Sequence, residues 1–134
     1  MWLFQVLPVL SLTKHNITLR LFYENWLFKA FKGEFDDECV LGIKNKKIIG
    51  FCTLRYENEN KRANIGLFAV MPKFRNKNYG KSFLLNIMAY ISKFKKYTEI
   101  NVVTQSRNYL AQRLYQECGF KTLSNNIWYH KWIK

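Results

Sequence analysis

Between Ala63 and Phe94 the chain changes its hydrophobic period once, and that change constrains the fold more than any other feature. Ala63 to Val70 is a nearly unbroken apolar run of strand length, suited to a central strand covered on both faces. Met71 to Asn78 is basic and polar, and Pro72 bars helix at its start. Gly80 then opens a pattern in which Phe83, Leu84, Ile87, Met88, Ile91 and Phe94 form the buried stripe of an amphipathic helix. A strand that feeds directly into a helix implies a layered fold, because each element buries its apolar side against another.

The remaining segments extend the pattern. Leu19, Phe22, Tyr23, Trp26, Leu27 and Ala30 recur at helical spacing within Asn16 to Phe31, and Lys32, Gly33 and the acidic turn through Asp37 end that helix. Cys39 to Ile43 and Ile48 to Tyr56 read as a hairpin joined by Lys44 to Lys47. Glu99 to Thr104 is a short β-branched run, Asn108 to Cys118 a helix with Gly119 at its C-terminal end, and Ile127 to Ile133 a closing strand. The order helix, three strands, helix, strand, helix, strand gives an α/β (α+β) fold, a mixed, mostly antiparallel sheet with helices on both faces. With no internal repeat or low-complexity linker, residues 1–134 are expected to form a single domain. The apolar opening, Met1 to Leu12, lacks a basic leader and a cleavage signature and is too short to span a bilayer, so it is expected to be an N-terminal strand or the remnant of a longer chain.

Charge and composition narrow the partners. A formal net charge of +13, from 22 Lys and Arg against 9 Asp and Glu, attracts polyanions: nucleic acid, an anionic membrane face, or a phosphate-bearing small molecule. No helix-turn-helix, zinc-finger or RNA-recognition signature supports nucleic acid, and nothing supports membrane insertion. Cys39, Cys52 and Cys118 are an odd set without CxxC spacing, which fits a reducing compartment such as the cytoplasm. His15 and His130 alone give little material for a metal site or a Ser-His-Asp triad, so no metal is expected.

The segment Ile65 to Gly80 carries the most chemical information. It delivers a strand through a basic loop into a helix N-terminus, where unpaired amides and a partial positive charge favour a pyrophosphate. Arg75, Lys77 and Lys81 add full charges, and Gly80 removes a Cβ from the approach. An ordinary surface loop with solvated Lys and Arg has the same composition, so loop chemistry alone leaves both readings open. Val70-Met-Pro-Lys-Phe-Arg-Asn-Lys-Asn-Tyr-Gly80, however, resembles motif A of the GNAT acetyltransferases, in which Arg or Gln is followed by two residues, Gly, one residue, then Gly or Ala. Arg75 and Gly80 match. Asn78 replaces the first glycine, a tolerable departure because Asn enters the left-handed region readily. The family's second signature is matched by Asn108, Ala111, Leu114, Tyr115, Gly119 and Phe120. Two motifs in order and at the expected separation are far more specific than one.

The resemblance implies an acetyl-CoA-dependent N-acetyltransferase acting by direct transfer to a small amine acceptor. It implies that Phe68, Ala69 and Val70 offer backbone groups to the pantetheine arm where the central strand splays from its neighbour, that the amides of Arg75, Asn76, Lys77, Asn78, Tyr79 and Gly80, with Lys81, hold the pyrophosphate, and that Asn108 bonds the cofactor. Tyr115 stands as general acid for the departing thiolate, against its alternative as a core aromatic. Many relatives place a glutamate on the strand before the loop. Ala63 to Val70 has no carboxylate and Asn64 cannot remove a proton, which leaves ordered water, or Glu57, Glu59 or Glu99, each of which reads more simply as a solvated charge, so no base is assigned. Tyr23 to Gly33, Ile65 to Val70 and the tail Trp128 to Trp132 look like a subgroup that acetylates amino groups on nucleotide-linked deoxysugars. That subgroup carries further N-terminal sequence, which implies a part of the acceptor site or first strand beyond this chain. Other amine acceptors, a degenerate acetyl-CoA-binding domain and a homodimer remain as alternatives, and the aromatic tail reads as core filling in a final strand, with His130 a polar strand residue.

Overall fold

The computed structural model describes the strand Leu3–Pro8 and residues 36–134. The helix expected over 16–31 lies outside the described residues. Five strands form one sheet in sequence order: β1 (Leu3–Pro8), β2 (Glu38–Lys44), β3 (Lys47–Glu57), β4 (Arg62–Val70) and β5 (Glu99–Val102). The first three pairings are antiparallel, and β4 with β5 is parallel. The parallel step requires a crossover, supplied by α1 (Tyr79–Tyr90). A second described helix, α2 (Tyr109–Glu117), follows β5.

The β2–β3 hairpin turns on Asn45 and Lys46, both with positive φ (51° and 60°), the geometry that matches the twist of paired strands. Val40, Cys52, Leu54, Ala63 and Ile65 put one face of the sheet against Phe83, Leu84, Ile87 and Ile91 of the crossover segment, forming the main core. Side chains alternate along a strand, so Cys39, Leu41, Ile49, Phe51 and Thr53 lie on the opposite face, where they are also buried. Full burial of each Leu, Ile or Phe contributes about 1.5–3 kcal/mol. Gly42 and Gly50 permit close layers. A Cβ on Gly42 would touch the Phe83 ring at 3.0 Å, and one on Gly50 would lie 3.2 Å from Ala69 C and nearer still to its carbonyl oxygen.

Four expectations change. Pro72 starts a one-turn 3-10 helix, Pro72–Phe74, because at a first helical position its missing N–H costs nothing. Phe94 leaves the expected stripe and is exposed. The helix widens to a π-turn at Ile91–Lys95, which rotates later residues away from the core. The end of β4 is uncovered: Gly66 and Leu67 are exposed, since β5 no longer runs beside them. Finally, residues 127–133 form no strand, because they pair with no strand among the described residues, and residues 121–134 are all exposed. Both described helices pack on one face of the mixed, mostly antiparallel sheet, and the helix expected over 16–31 falls outside the described residues.

A half-buried polar knot ties the sheet to the crossover. Tyr56 and Tyr90 donate their hydroxyls to Glu38 Oε2 at 2.8 and 3.1 Å, and Lys95 forms an ion pair with the same carboxylate.

Candidate active site

The sheet opens where β4 and β5 part. Arg62 to Ile65 pair with Glu99 to Val102, but β4 continues to Val70 along β3 alone, so one backbone edge of Gly66 to Val70 faces a gap. A bulge marks the apex of this opening. Cys52 pairs with Phe68 and Leu54 with Ile65, leaving Thr53 opposite both Gly66 and Leu67. Thr53 is buried, and its hydroxyl accepts from Leu67 N at 2.9 Å, replacing the lost ladder bond. Phe68 stacks on Phe83 with centroids 5.5 Å apart, which fixes the strand above the core. Phe68, Ala69 and Val70 therefore lie along the gap with their side chains half-buried.

The loop after β4 is shaped for an anion. Arg75 Nε donates to Val70 O at 3.1 Å and its amide donates to Pro72 O at 3.2 Å, folding the loop back on the strand end. Asn76 and Asn78 take left-handed φ of 59° and 60°, so the asparagine at the first-glycine position adopts the conformation a glycine would supply. The first bond of α1 runs from Ser82 N to Asn78 O at 3.1 Å. The amides of Gly80 and Lys81 therefore have no helical carbonyl one turn earlier and face the loop. The first turn holds no acidic residue and no side-chain cap. Lys73, Arg75 and Lys77 are exposed around it, and Lys81 is half-buried. Tyr79 meets Phe74 edge-on at 5.7 Å and lies 4.8 Å under Lys44 Nζ. A Cβ on Gly80 would make only ordinary contacts, 3.4 Å from Val70 Cγ2 and 3.7 Å from Leu114 Cδ2, so the fold itself does not demand glycine there.

Tyr115 comes to the core side of the same opening on α2. It packs half-buried against the cluster containing Cys52 and meets the Phe120 ring at a tilt, with centroids 5.6 Å apart. Burial first, and the neighbouring Cys52 second, push its hydroxyl above the ordinary value of 10.0, so it is protonated at neutral pH. Asn108 caps α2: its Oδ1 accepts from Ala111 N at 3.2 Å. Gly119, with φ of 91°, ends the helix as the sequence indicated.

The carboxylates singled out in the sequence lie elsewhere. Glu57 accepts from Asn64 Nδ2 at 2.8 Å and pairs with Arg62 at 3.6 Å, while Glu99 pairs with Arg62 at 2.9 Å, at the far end of the β4–β5 ladder. Glu59 is in the exposed turn. The carboxylate at the apex is one that sequence reasoning missed, Asp36. An ideal Cβ on Gly66 would lie 2.8 Å from Asp36 Oδ1 and 2.8 Å from Thr53 Oγ1, so Asp36 occupies the space that a side chain at 66 would take. Thr53 faces away from the Cys52 side, which sets Asp36 and Tyr115 on opposite faces of the bulge. The one legible sign was Gly66 itself, a glycine inside an apolar strand run, which marks a bulge or a close approach.

Among the described residues, no group of three or more His, Cys, Asp or Glu is placed to hold a metal ion, and no helix is long and apolar enough to cross a membrane. Cys39, Cys52 and Cys118 are buried free thiols. Burial pushes Cys39 up to about 12 and Cys52 well above its ordinary value, so neither is a thiolate nucleophile.

Residues 10–120 match the Acetyltransferase (GNAT) family. Comparison with curated proteins finds no significant match. Solved structures share the fold. An IAA acetyltransferase from Bacillus cereus is 19% identical, with a TM-score of 0.71 over 92% of this chain and 79% of that one. The aminoglycoside N-acetyltransferase AAC(6')-Iy, in complex with the bisubstrate analog CoA-S-monomethyl-acetylneamine, is 16% identical, with a TM-score of 0.64 over 99% of each chain. Mutant forms of the spermidine/spermine N-acetyltransferase SpeG from Vibrio cholerae are 15% identical, with a TM-score of 0.68 over 92% of this chain and 82% of that one. The parted strands, the basic loop at the start of α1 and the match across most of the chain lead to one conclusion: the chain belongs to the acetyltransferase (GNAT) family and is an acetyl-CoA-dependent N-acetyltransferase.

Proposed function

We propose that the chain passes the acetyl group of acetyl-CoA directly to a primary amine at the bulge of β4, between Asp36 and Tyr115. The observation that carries this reading is the pairing of a carboxylate on one face of Gly66 with a protonated tyrosine on the other. The Arg75 amide is taken by Pro72 O, so the pyrophosphate sits on the amides from Asn76 to Gly80 with Lys81 nearby, the pantetheine arm follows the open edge of Phe68 to Val70, and Asn108 bonds the arm. The amine nitrogen forms a bond to the thioester carbonyl carbon, and the carbonyl π pair moves to oxygen. Once bonded to carbon, the nitrogen becomes acidic and gives a proton to Asp36. The oxyanion's pair then re-forms the carbonyl as the C–S bond breaks, the bonding pair stays on sulfur, and Tyr115 supplies the thiolate's proton. Solvent returns a proton from Asp36 to the phenolate, so the products are amide and free thiol.

The acceptor we propose is the amino group of a nucleotide-linked deoxy-amino sugar. The net charge of +13 supports an anionic acceptor and opposes polycations such as aminoglycosides and polyamines. Three buried free thiols support residence in the reducing cytoplasm. A thiol-release assay with acetyl-CoA tests the acceptor, using a nucleotide-linked amino sugar, sisomicin and spermidine as probes. The nucleotide sugar is expected to react fastest. Release with sisomicin or spermidine alone rejects the acceptor class but keeps the transfer, and release with none rejects both.

A further inference from the structure

The crossover carries one irregularity, and the side chains it re-aims converge on a single carboxylate. α1 runs to Tyr90, and the π-turn Ile91–Lys95 follows, closed by the Lys96 amide donating to Ile91 O. Such turns are rare inside helices and recur at functional sites. Tyr90 and Lys95 are five residues apart, which in an unbroken α-helix would set them about 140° apart around the axis. Across the wider turn both reach Glu38: Tyr90 donates its hydroxyl to Oε2 at 3.1 Å, and Lys95 forms an ion pair with Oε1. Phe94, between them, is turned out to solvent.

What this clamp holds is the chain that follows Asp36. Tyr56 grips it twice from β3, its hydroxyl donating to Glu38 Oε2 at 2.8 Å and its amide to Asp37 Oδ2 at 2.7 Å. The Asp37 amide donates in turn to Leu54 O at 2.8 Å. Asp37 forms a bend, and Glu38 opens β2. Side chains two apart on a strand share a face, so a straight chain would put Asp36 beside Glu38. The bend instead sends Asp36 across to Gly66, while Glu38 stays on the helix side with Tyr56 and Tyr90. Among the described residues, no side chain hydrogen-bonds the Asp36 carboxylate, so within that set its place depends on the anchoring of Asp37 and Glu38.

We propose that Glu38 is a positioning residue for the transfer: clamped by Tyr56, Tyr90 and Lys95, it fixes the bend that holds the Asp36 carboxylate against Gly66. This role rests on Asp36 acting as the base. The crossover then serves both substrates from opposite ends, its start facing the cofactor loop and its π-turn setting the base. The twelve residues of α1 separate the two by about 18 Å, so loosening the clamp leaves the cofactor loop in place.

Thiol release by the full chain tests this, with acetyl-CoA and whichever of the three amines above reacts fastest. Glu38→Ala, Glu38→Gln and Tyr90→Phe are compared, each alone and on an Asp36→Asn background. Rates are taken per acetyl-CoA site counted by calorimetry, so unfolded chains do not enter. Tyr90→Phe keeps its ring and loses one donor, which gives a folded test even where Glu38→Ala is unstable. The expected kcat falls about tenfold in Glu38→Ala and about threefold in Tyr90→Phe, with acetyl-CoA affinity within about twofold of wild type. Glu38→Gln still accepts from both hydroxyls and should recover most of the loss. On Asp36→Asn the same changes should have no further effect, because the group they position is already gone. Losses that recur undiminished on Asp36→Asn, or a wild-type kcat in both Glu38→Ala and Tyr90→Phe, would overturn the positioning role and leave Asp36 as the base. An Asp36→Asn enzyme at the wild-type rate would overturn both.

Discussion

Replacing Gly66 with alanine tests the acid–base assignment without altering either titrating side chain. The new Cβ would stand 2.8 Å from Asp36 Oδ1 and from Thr53 Oγ1, and nearer still to Asp36 Oδ2. Thr53 is buried and its hydroxyl holds Leu67 N at 2.9 Å, so it cannot give way cheaply. Asp36 is half-buried on the approach to β2 and can move. To reach ordinary contact at about 3.5–4.0 Å, its carboxylate must retreat by about 1 Å. Misplacing a reacting group by that much costs on the order of 100-fold in rate, within the range of a general base and equal to about 2.7 kcal/mol of barrier. The backbone at Gly66 is not in the left-handed region, but the contact with Thr53 must also be relieved, so the fold is expected to lose about 1–3 kcal/mol. The assay is kcat/KM by thiol release for Gly66→Ala, Asp36→Asn and the pair, with acetyl-CoA affinity measured by calorimetry. Each single change should fall about 100-fold, and the pair no further, because both remove one group from one place. Affinity for acetyl-CoA should stay within about twofold. A Gly66→Ala enzyme at the wild-type rate, or losses that multiply in the pair, would refute the assignment.

Three further outcomes follow from the same geometry. Tyr115→Phe should lower kcat about 100-fold with acetyl-CoA affinity nearly intact, and equal loss of both would make Tyr115 a packing residue. Because burial and Cys52 raise the Tyr115 hydroxyl above 10.0, the wild-type kcat should hold through neutral pH and decline only on the alkaline side of that value. Gly80→Glu should weaken acetyl-CoA at least about 100-fold by setting a carboxylate against the helix start. Gly80→Ala should bind it normally, since Val70 and Leu114 leave room for a Cβ, and unchanged affinity in Gly80→Glu would reject the loop's role. Glu38→Ala removes the acceptor shared by Tyr56, Tyr90 and Lys95 and should cost about 3 kcal/mol in denaturant melts. Tyr56 and Tyr90 are raised above 10.0, burial first and Glu38 next, and Lys95 above 10.5, chiefly by Glu38. Raised folded values mean this stability is complete below pH 10 and lost as pH climbs through them, so the wild type should weaken from pH 10 upward and Glu38→Ala should respond less.

The parts of the site written in consecutive residues were legible in the sequence. Asn78 could be placed in the left-handed region because its position in the loop requires it and asparagine tolerates it. The turn between Lys44 and Lys47 and the glycine ending α2 are likewise local choices. What failed depends on contacts between distant residues. Asp36 reaches Gly66 across thirty positions of chain, and no spacing rule connects them. Phe94 obeys the helical period but lies beyond a π-turn, which breaks it. Ile127 to Ile133 alternates as a strand should, yet a strand exists only where an edge receives it. The opening of β4 was implied by the family resemblance and not by the residues themselves, because an apolar run does not disclose where its neighbour stops.

Titrating acetyl-CoA into the purified full chain by calorimetry tests the central claim most directly. The account expects binding in the micromolar range with one site per chain, lost in Gly80→Glu. A folded chain that takes up no acetyl-CoA, or takes it up equally well with glutamate at position 80, would contradict it.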